Sequence, residues 1–438
     1  MSIDTRDSFT GKFGVIAAAA GSAVGLGNIW RFPYVVGENG GGAFLLVYLL
    51  FILAIGIPVM LSELLIGRRA QKNVFGAFKS LAPNYPVFMV VGIMGVGAAF
   101  MILAFYSVVA GWTLEYTYLA VGNNLLDMSS SELSTFFKEF SESKTGPVIW
   151  MVVFMLLTGA IVIGGVKKGI ERYTKILMPV LFVIIVVLGI KSATLEGAGE
   201  GFAFLFKPDF SKVTGNVILE ALGQAFFSLS IGMGVIATYG SYIQKKENLL
   251  ETAVSVSMAD TLIAVLAGVA IFPAVFAFGI DPTAGPGLVF ETLPNVFKHM
   301  AGGYIFSVAF FFLLVIAALT SSVSLLEVVV AYFSEELGMK RSWATIVATV
   351  SITLFGLMAV FSSSIFNFFD YTTANILLPL GGILISIFVG WILGKLKAKE
   401  ELSAHGGKVR MIGVIMIILK FIAPIAIGLV FLNGIGIL

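Results

Sequence analysis

The 438-residue chain contains no cysteine, which excludes disulfides and thiolate metal sites. Its two histidines, His299 and His405, fall in different loops on opposite expected sides, so no zinc centre is expected. Charge is scarce as well: 12% of residues are Asp, Glu, Lys or Arg, against about 25% in soluble domains. With 58% hydrophobic residues and a mean hydropathy of +1.01, a single soluble globular domain is excluded. The net charge of +2, from 27 basic and 25 acidic residues, is not a nucleic-acid-binding balance. No nucleophile–base pair, metal cluster or phosphate loop is apparent, so the chain does not read as an enzyme. The stretch after Met1 is polar, and the first apolar run lacks a small-residue cleavage end, so no cleavable leader is expected.

What the chain does have is long apolar runs of the length that crosses a bilayer. They lie at 13–36, 42–66, 88–121, 147–165, 172–190, 216–243, 250–279, 302–334, 342–361, 371–395 and 411–433, and are numbered here as spans 1 to 11. The expected architecture is an all-α polytopic membrane protein with residues 1–438 as one transmembrane domain. Spans 3 and 8 exceed one bilayer thickness, so tilt or extension into water is expected. Alternate loops are basic: 19 of the 27 Lys and Arg lie on one side, among them Arg68, Arg69, Lys167, Lys168, Lys245, Lys340 and Lys395. Basic loops favour the cytoplasm, which places the N-terminus inside and the C-terminus outside the plasma membrane. On the outer side, 123–146 is polar and acidic and Asp281–Gly287 carries turn chemistry, reading as a solvated cap.

Two spans carry an interruption. Span 1 reads Gly21-Ser22-Ala23-Val24-Gly25-Leu26-Gly27-Asn28, and span 6 reads Ser228-Leu229-Ser230-Ile231-Gly232-Met233-Gly234. Glycine lowers the cost of leaving the helix. The freed N–H and C=O groups then need partners, which an ion and a polar solute can supply. Close packing through small residues explains either segment alone equally well. Together they open two five-helix halves, 13–190 and 216–395, of opposite orientation, with 411–433 outside the repeat. Paired interruptions of this kind point to a transporter binding site.

The run Gly21–Pro33, which continues through Ile29-Trp30-Arg31-Phe32-Pro33, resembles the signature of the neurotransmitter:sodium symporter family. So do Glu38–Phe44, Gly56-Ile57-Pro58 with Glu63 and Gly67-Arg68, Gln224–Ser230 and Leu319-Thr320-Ser321-Ser322, and the likeness covers nearly the whole chain. Eleven spans in place of twelve resembles a bacterial branch that transports hydrophobic amino acids. The resemblance implies a sodium-coupled importer of hydrophobic, including aromatic, L-amino acids, working by alternating access. It implies broken helices 1 and 6, with helices 1, 2, 6 and 7 rocking against 3, 4, 8 and 9.

Residue roles follow from the same resemblance. Backbone at Gly25, Leu26 and Gly27, with the Tyr106 hydroxyl, would hold the substrate carboxylate at a helix N-terminus. Carbonyls of Ala23 and Phe227, with Ser230 and Ser321, would take the amine. Ile102, Phe227, Met233, Ser324 and Leu325 would line the side-chain pocket, and no charged residue lies among them. Two sodium ions are implied. One would sit among Gly21, Val24, Ala317, Thr320 and Ser321, the other among Ala23, Asn28, Ser228, Asp260 and the substrate carboxylate. Many family members have asparagine at the position of Asp260 and a chloride nearby. This chain keeps Tyr48, Gln224 and Ser228 of that pattern but has Ala264 where some chloride-independent relatives carry glutamate. Asp260 is therefore expected to supply the negative charge, with no chloride. It either stays ionised as a sodium ligand or returns protonated.

Arg31 with Asp370 outside, and Arg6 with Glu335 and Tyr242 inside, correspond to the family's gating pairs. Phe9 stands where tryptophan is usual. Two alternative functions remain. A proton-coupled or exchange-only amino-acid carrier of the same fold would show no sodium dependence. An ion channel would conduct without substrate, but the chain shows no repeated filter segment or charged ring.

Overall fold

A computed structural model of the chain describes residues 8–279, 288–404, 406 and 411–438. The described residues form helices throughout. Nine helices are long and apolar enough to cross a membrane, and Lys12–Ala23 with Gly27–Glu38 forms a tenth span bent by 49°. Gly215–Ser228 and Val235–Gly240 form a second interrupted helical segment, at the place expected for span 6. His405 and the Asp281–Gly287 turn lie outside the described residues, and so does Arg6, so the expected Arg6–Glu335 pair is not described.

Several boundaries move. Span 10 runs Ser363–Leu402, longer at both ends than the 371–395 expected from hydropathy. Ser362 caps its outer end by accepting the Ile365 N–H, a terminus that hydropathy does not register. Span 5 starts at Val166, because the basic stretch Lys167–Lys168 is helical and not part of a loop. Span 3, Pro86–Val121, and span 8, Gly303–Glu335, are 36 and 33 residues long. At about 1.5 Å per residue each exceeds a hydrocarbon core of about 30 Å. The two pack against each other through the middle of the molecule.

The outer region is more ordered than a solvated loop. Ser129 and Glu132 form a reciprocal capping box that starts a helix, Ser130–Glu142. Its inward face stacks Phe137 on Phe290 and edges Phe137 against Trp112. The apolar spacing at Leu133, Phe136, Phe137 and Phe140 makes this helix a packed lid on the membrane domain, and the expectation of a merely solvated cap is corrected.

Both breaks have local causes. At span 1, the Gly25 N–H turns to the Asn28 Oδ1 and the Asn28 N–H to the Gly25 carbonyl. The carbonyls of Gly21 and Val24 thereby lose their usual i+4 partners. A Cβ on Gly25 would collide with the Ser321 hydroxyl, so glycine is required for the approach of spans 1 and 8. At span 6, Ser230, Gly232 and Gly234 have φ of 55°, 85° and 73°. That left-handed run ends one helix at Ser228 and starts the next at Val235.

Candidate functional site

The two breaks meet at a small cavity of about 30 Å³. Span 1 lines it with Ala23, Gly25, Leu26 and Gly27, and span 3 with Ile102 and Tyr106. Span 6 contributes Phe227, Ser230 and Met233, and span 8 contributes Ser321, Ser324 and Leu325. Ser228, expected at the sodium site that shares the substrate carboxylate and named with the substrate-binding residues, is outside this lining and turns to Asp260. Ser22 lines the cavity although it was not singled out.

Polar groups divide the cavity into two ends. At one, the Leu26 N–H donates to the Tyr106 hydroxyl at 3.3 Å, and that hydroxyl also meets the Ser321 side chain, so a backbone N–H and a phenol face the cavity together. At the other, the Ser22 carbonyl accepts from the Ser230 and Ser321 hydroxyls, each at 3.1 Å. The Ser22 hydroxyl accepts from Ser324 at 2.8 Å. Ser22 therefore links spans 1, 6 and 8 through both its carbonyl and its side chain. Its position between Gly21 and Gly25 was the available signal.

Two clusters of oxygen flank the cavity. In the first, the Thr320 hydroxyl donates to the carbonyls of Val24 at 3.3 Å and Ala317 at 3.0 Å, and Ser321 to Val24 at 3.4 Å. Gly21 backs onto Thr320, where a Cβ would sit 3.4 Å from that of the threonine. This set of neutral oxygens, with two carbonyls freed by the break, suits a hard monovalent cation. In the second, the fully buried Asp260 accepts from Asn28 Nδ2 at 2.7 Å and from the Ser228 hydroxyl at 2.8 Å. Tyr48 donates to Ser228 at 3.3 Å, and Gln224 donates to the Gly27 carbonyl at 3.3 Å. The Tyr48–Ser228 donor chain therefore ends on a protein carboxylate. No Lys or Arg lies within ion-pair distance of Asp260 among the described residues.

A second cavity of about 80 Å³ lies on the outer side and shares Leu26, Gly27, Tyr106 and Phe227 with the first. Tyr106 and Phe227 thus form the partition between them. Arg31 and Asp370 both line this outer chamber, and no ion pair of 4.0 Å or less joins them among the described residues. The Arg31 guanidinium instead lies over the Phe227 ring, 4.3 Å from its centroid. A cation–π contact holds the arginine on the partition itself, with Asp370 facing it across the same chamber.

The inner side holds a network that sequence patterns did not reveal. Tyr242 donates to Glu327 at 2.7 Å, and Arg341 grips both Glu327 oxygens at 3.0 and 2.6 Å. Arg341 also donates to the Val162 carbonyl. Spans 4, 6, 8 and 9 are tied at one point. Glu327 lies two turns before Glu335, the residue expected beside Tyr242. Glu335 accepts from the Asn73 amide and side chain at 2.8 and 3.1 Å. Phe9, at the position where tryptophan is usual, packs edge-on against Tyr239 and Tyr242. Glu63, fully buried in span 2, accepts the Gly232 N–H at 2.7 Å and so caps the unwound stretch of span 6.

Paired broken helices around a central chamber, with partitions on both faces, define a secondary transporter. The chain belongs to the sodium:neurotransmitter symporter family, whose model matches residues 6–133 and 128–437. It is a multi-pass, sodium-dependent symporter. It is 40% identical to the sodium-dependent transporter YhdH of Bacillus subtilis, over 98% of this chain and 97% of that one. A sodium-dependent transporter of Haemophilus influenzae is 39% identical, over 98% of each chain. The crystal structure of MhsT in complex with L-phenylalanine matches with a TM-score of 0.91 and 48% identity, covering 98% of this chain and all of that one.

Proposed function

We propose that the protein imports hydrophobic L-amino acids, aromatic ones included, with two sodium ions and without chloride. The observation that carries the reading is the cavity itself. It offers a donor end at Leu26 and Tyr106, an acceptor end at Ser22, and side-chain walls from Ile102, Phe227, Met233 and Leu325 with no charge among them. That polarity suits a zwitterion with an apolar side chain. The phenylalanine bound to MhsT supports the same class. At about 30 Å³ the chamber accepts such a side chain only when its walls yield, a task suited to the unbranched Met233.

One sodium would use Gly21, Val24, Ala317, Thr320 and Ser321. The other would use Ala23, Asn28, Ser228 and Asp260 together with the substrate carboxylate. A shared carboxylate couples the two affinities reciprocally. Chloride independence rests on Asp260: its carboxylate occupies the end of the Tyr48–Ser228 donor chain, where a chloride would be redundant and repelled. Because Asp260 lacks a basic partner among the described residues, protonation on the empty return step is the reading favoured for it. The basic-loop asymmetry supports a cytoplasmic N-terminus and an extracellular C-terminus in the plasma membrane. Spans 1, 2, 6 and 7 would rock against 3, 4, 8 and 9, with the two five-helix halves related by inversion.

Uptake of labelled leucine, phenylalanine, tyrosine and tryptophan into proteoliposomes tests this. Under an inward sodium gradient, with chloride replaced by gluconate, at least one accumulates and collapse of the gradient abolishes it. Uptake that needs chloride would overturn the Asp260 assignment, and no uptake of any of the four would overturn the substrate class.

A further inference from the structure

We propose that Lys420, seated on Trp391 between spans 10 and 11, binds the phosphate headgroup of an anionic phospholipid in the cytoplasmic leaflet. Lys420 lies eight residues inside span 11, Ile412–Gly434, and is half-buried. Its ammonium sits 4.7 Å from the centroid of the Trp391 ring. No carboxylate lies within ion-pair distance of it among the described residues. A lysine in a membrane span is costly and requires a counter-charge or a route to the interface. Trp391 supplies part of the compensation through its π face, yet it is itself 53% exposed on the lipid-facing surface.

The pairing is built into the backbone. Span 10 widens into a π-helical turn at Phe388–Leu393 and span 11 into another at Ile418–Ile422. The two turns face each other. Gly390 admits the Lys420 stem, since a Cβ there would press to 3.1 Å on its Cγ. The Trp391 indole donates to the Lys420 carbonyl at 3.3 Å, and Phe421 closes edge-on at 5.5 Å. Tryptophan is enriched at the headgroup boundary. Trp391 is one turn before Lys395, where the exposed cytoplasmic run of Lys395, Lys397 and Lys399 begins. Lysine side chains on a helix lean towards its N-terminus, which for span 11 is the cytoplasmic side in the orientation proposed above. Glu400 and Glu401 follow, but Arg69 and Arg68 hold their carboxylates.

The charge argues for a lipid and against a second copy of the chain. A two-fold contact through this patch would set Lys420 against Lys420, whereas juxtamembrane lysines attract anionic headgroups. The test uses the full chain in vesicles of phosphatidylcholine doped with either brominated phosphatidylglycerol or brominated phosphatidylcholine. Quenching of Trp391 is taken as the fluorescence difference between the chain and Trp391→Phe. Half-quenching is expected at a mole fraction at least threefold lower for brominated phosphatidylglycerol than for brominated phosphatidylcholine. Lys420→Arg keeps that preference and Lys420→Gln removes it, while added inorganic phosphate leaves it in place. Equal quenching by both lipids in the unmodified chain would overturn the proposal even if Lys420→Gln failed to fold. So would a preference that survives in a folded Lys420→Gln. Loss of a dimer in Lys420→Gln without any lipid preference would assign the patch to a second copy.

Discussion

Asp260 carries the largest share of the chemistry for a single residue. It is fully buried, accepts from Asn28 and Ser228, and stands at the end of a chain of hydroxyls that begins at Tyr48. Asp260→Asn keeps the shape and removes the charge. In chloride-free medium it should raise the sodium concentration for half-maximal uptake at least tenfold, a loss of about 1.4 kcal/mol. Added chloride should recover part of that loss, read as uptake against sodium with and without chloride. Ser22 is the residue-scale surprise. Ser22→Ala removes the hydroxyl that accepts from Ser324 but leaves the carbonyl that accepts from Ser230 and Ser321. One neutral hydrogen bond is worth about 0.5–1.5 kcal/mol, so substrate affinity in a binding assay should fall roughly 2–12-fold with folding intact.

At the scale of elements, the breaks in spans 1 and 6 were legible because each is written in one contiguous stretch of glycine and serine. The rest of the cavity lining, Ile102 and Tyr106 of span 3 and Ser321, Ser324 and Leu325 of span 8, was legible only through the family resemblance. Long-range pairings left no such trace. Glu327 and Arg341 are fourteen positions apart on different spans, and nothing in either local sequence announces the other. The resemblance pairs Arg31 with Asp370, but the Phe227 face under its guanidinium leaves no such trace, because aromatic compensation looks the same as packing in a sequence. The π-helical turns in spans 10 and 11 likewise leave the apolar period almost unchanged. Two predictions belong here. Gly25→Ala drives a methyl into the Ser321 hydroxyl and should abolish sodium-dependent substrate binding, while monodispersity on gel filtration persists. Glu327→Gln weakens the Tyr242 and Arg341 grip, favouring an inward-open chamber. Because the chain lacks cysteine, a single Ser241→Cys at that buried position reports the change. Its labelling by a membrane-impermeant maleimide from the cytoplasmic side should rise several-fold in the Glu327→Gln background.

For the whole molecule, the central cavity lies between an outer chamber floored by Tyr106 and Phe227 and an inner network centred on Glu327. Import with two sodium ions and a zwitterion moves two charges inward. At about 2.3 kcal/mol per charge per 100 mV, the membrane potential contributes roughly 4.6 kcal/mol per 100 mV. A proton returning on Asp260 would remove one charge from that sum. Uptake should therefore accelerate when a potassium diffusion potential makes the vesicle interior negative. The central claim is that sodium and substrate meet at one site completed by Asp260. Binding of labelled phenylalanine, measured by scintillation proximity in gluconate buffer across a sodium titration, tests it most directly. Affinity should rise steeply with sodium, with a Hill coefficient above one, and phenylalanine should in turn lower the sodium concentration needed for half-saturation. Binding that ignores sodium, or that appears only when chloride is restored, would contradict the account.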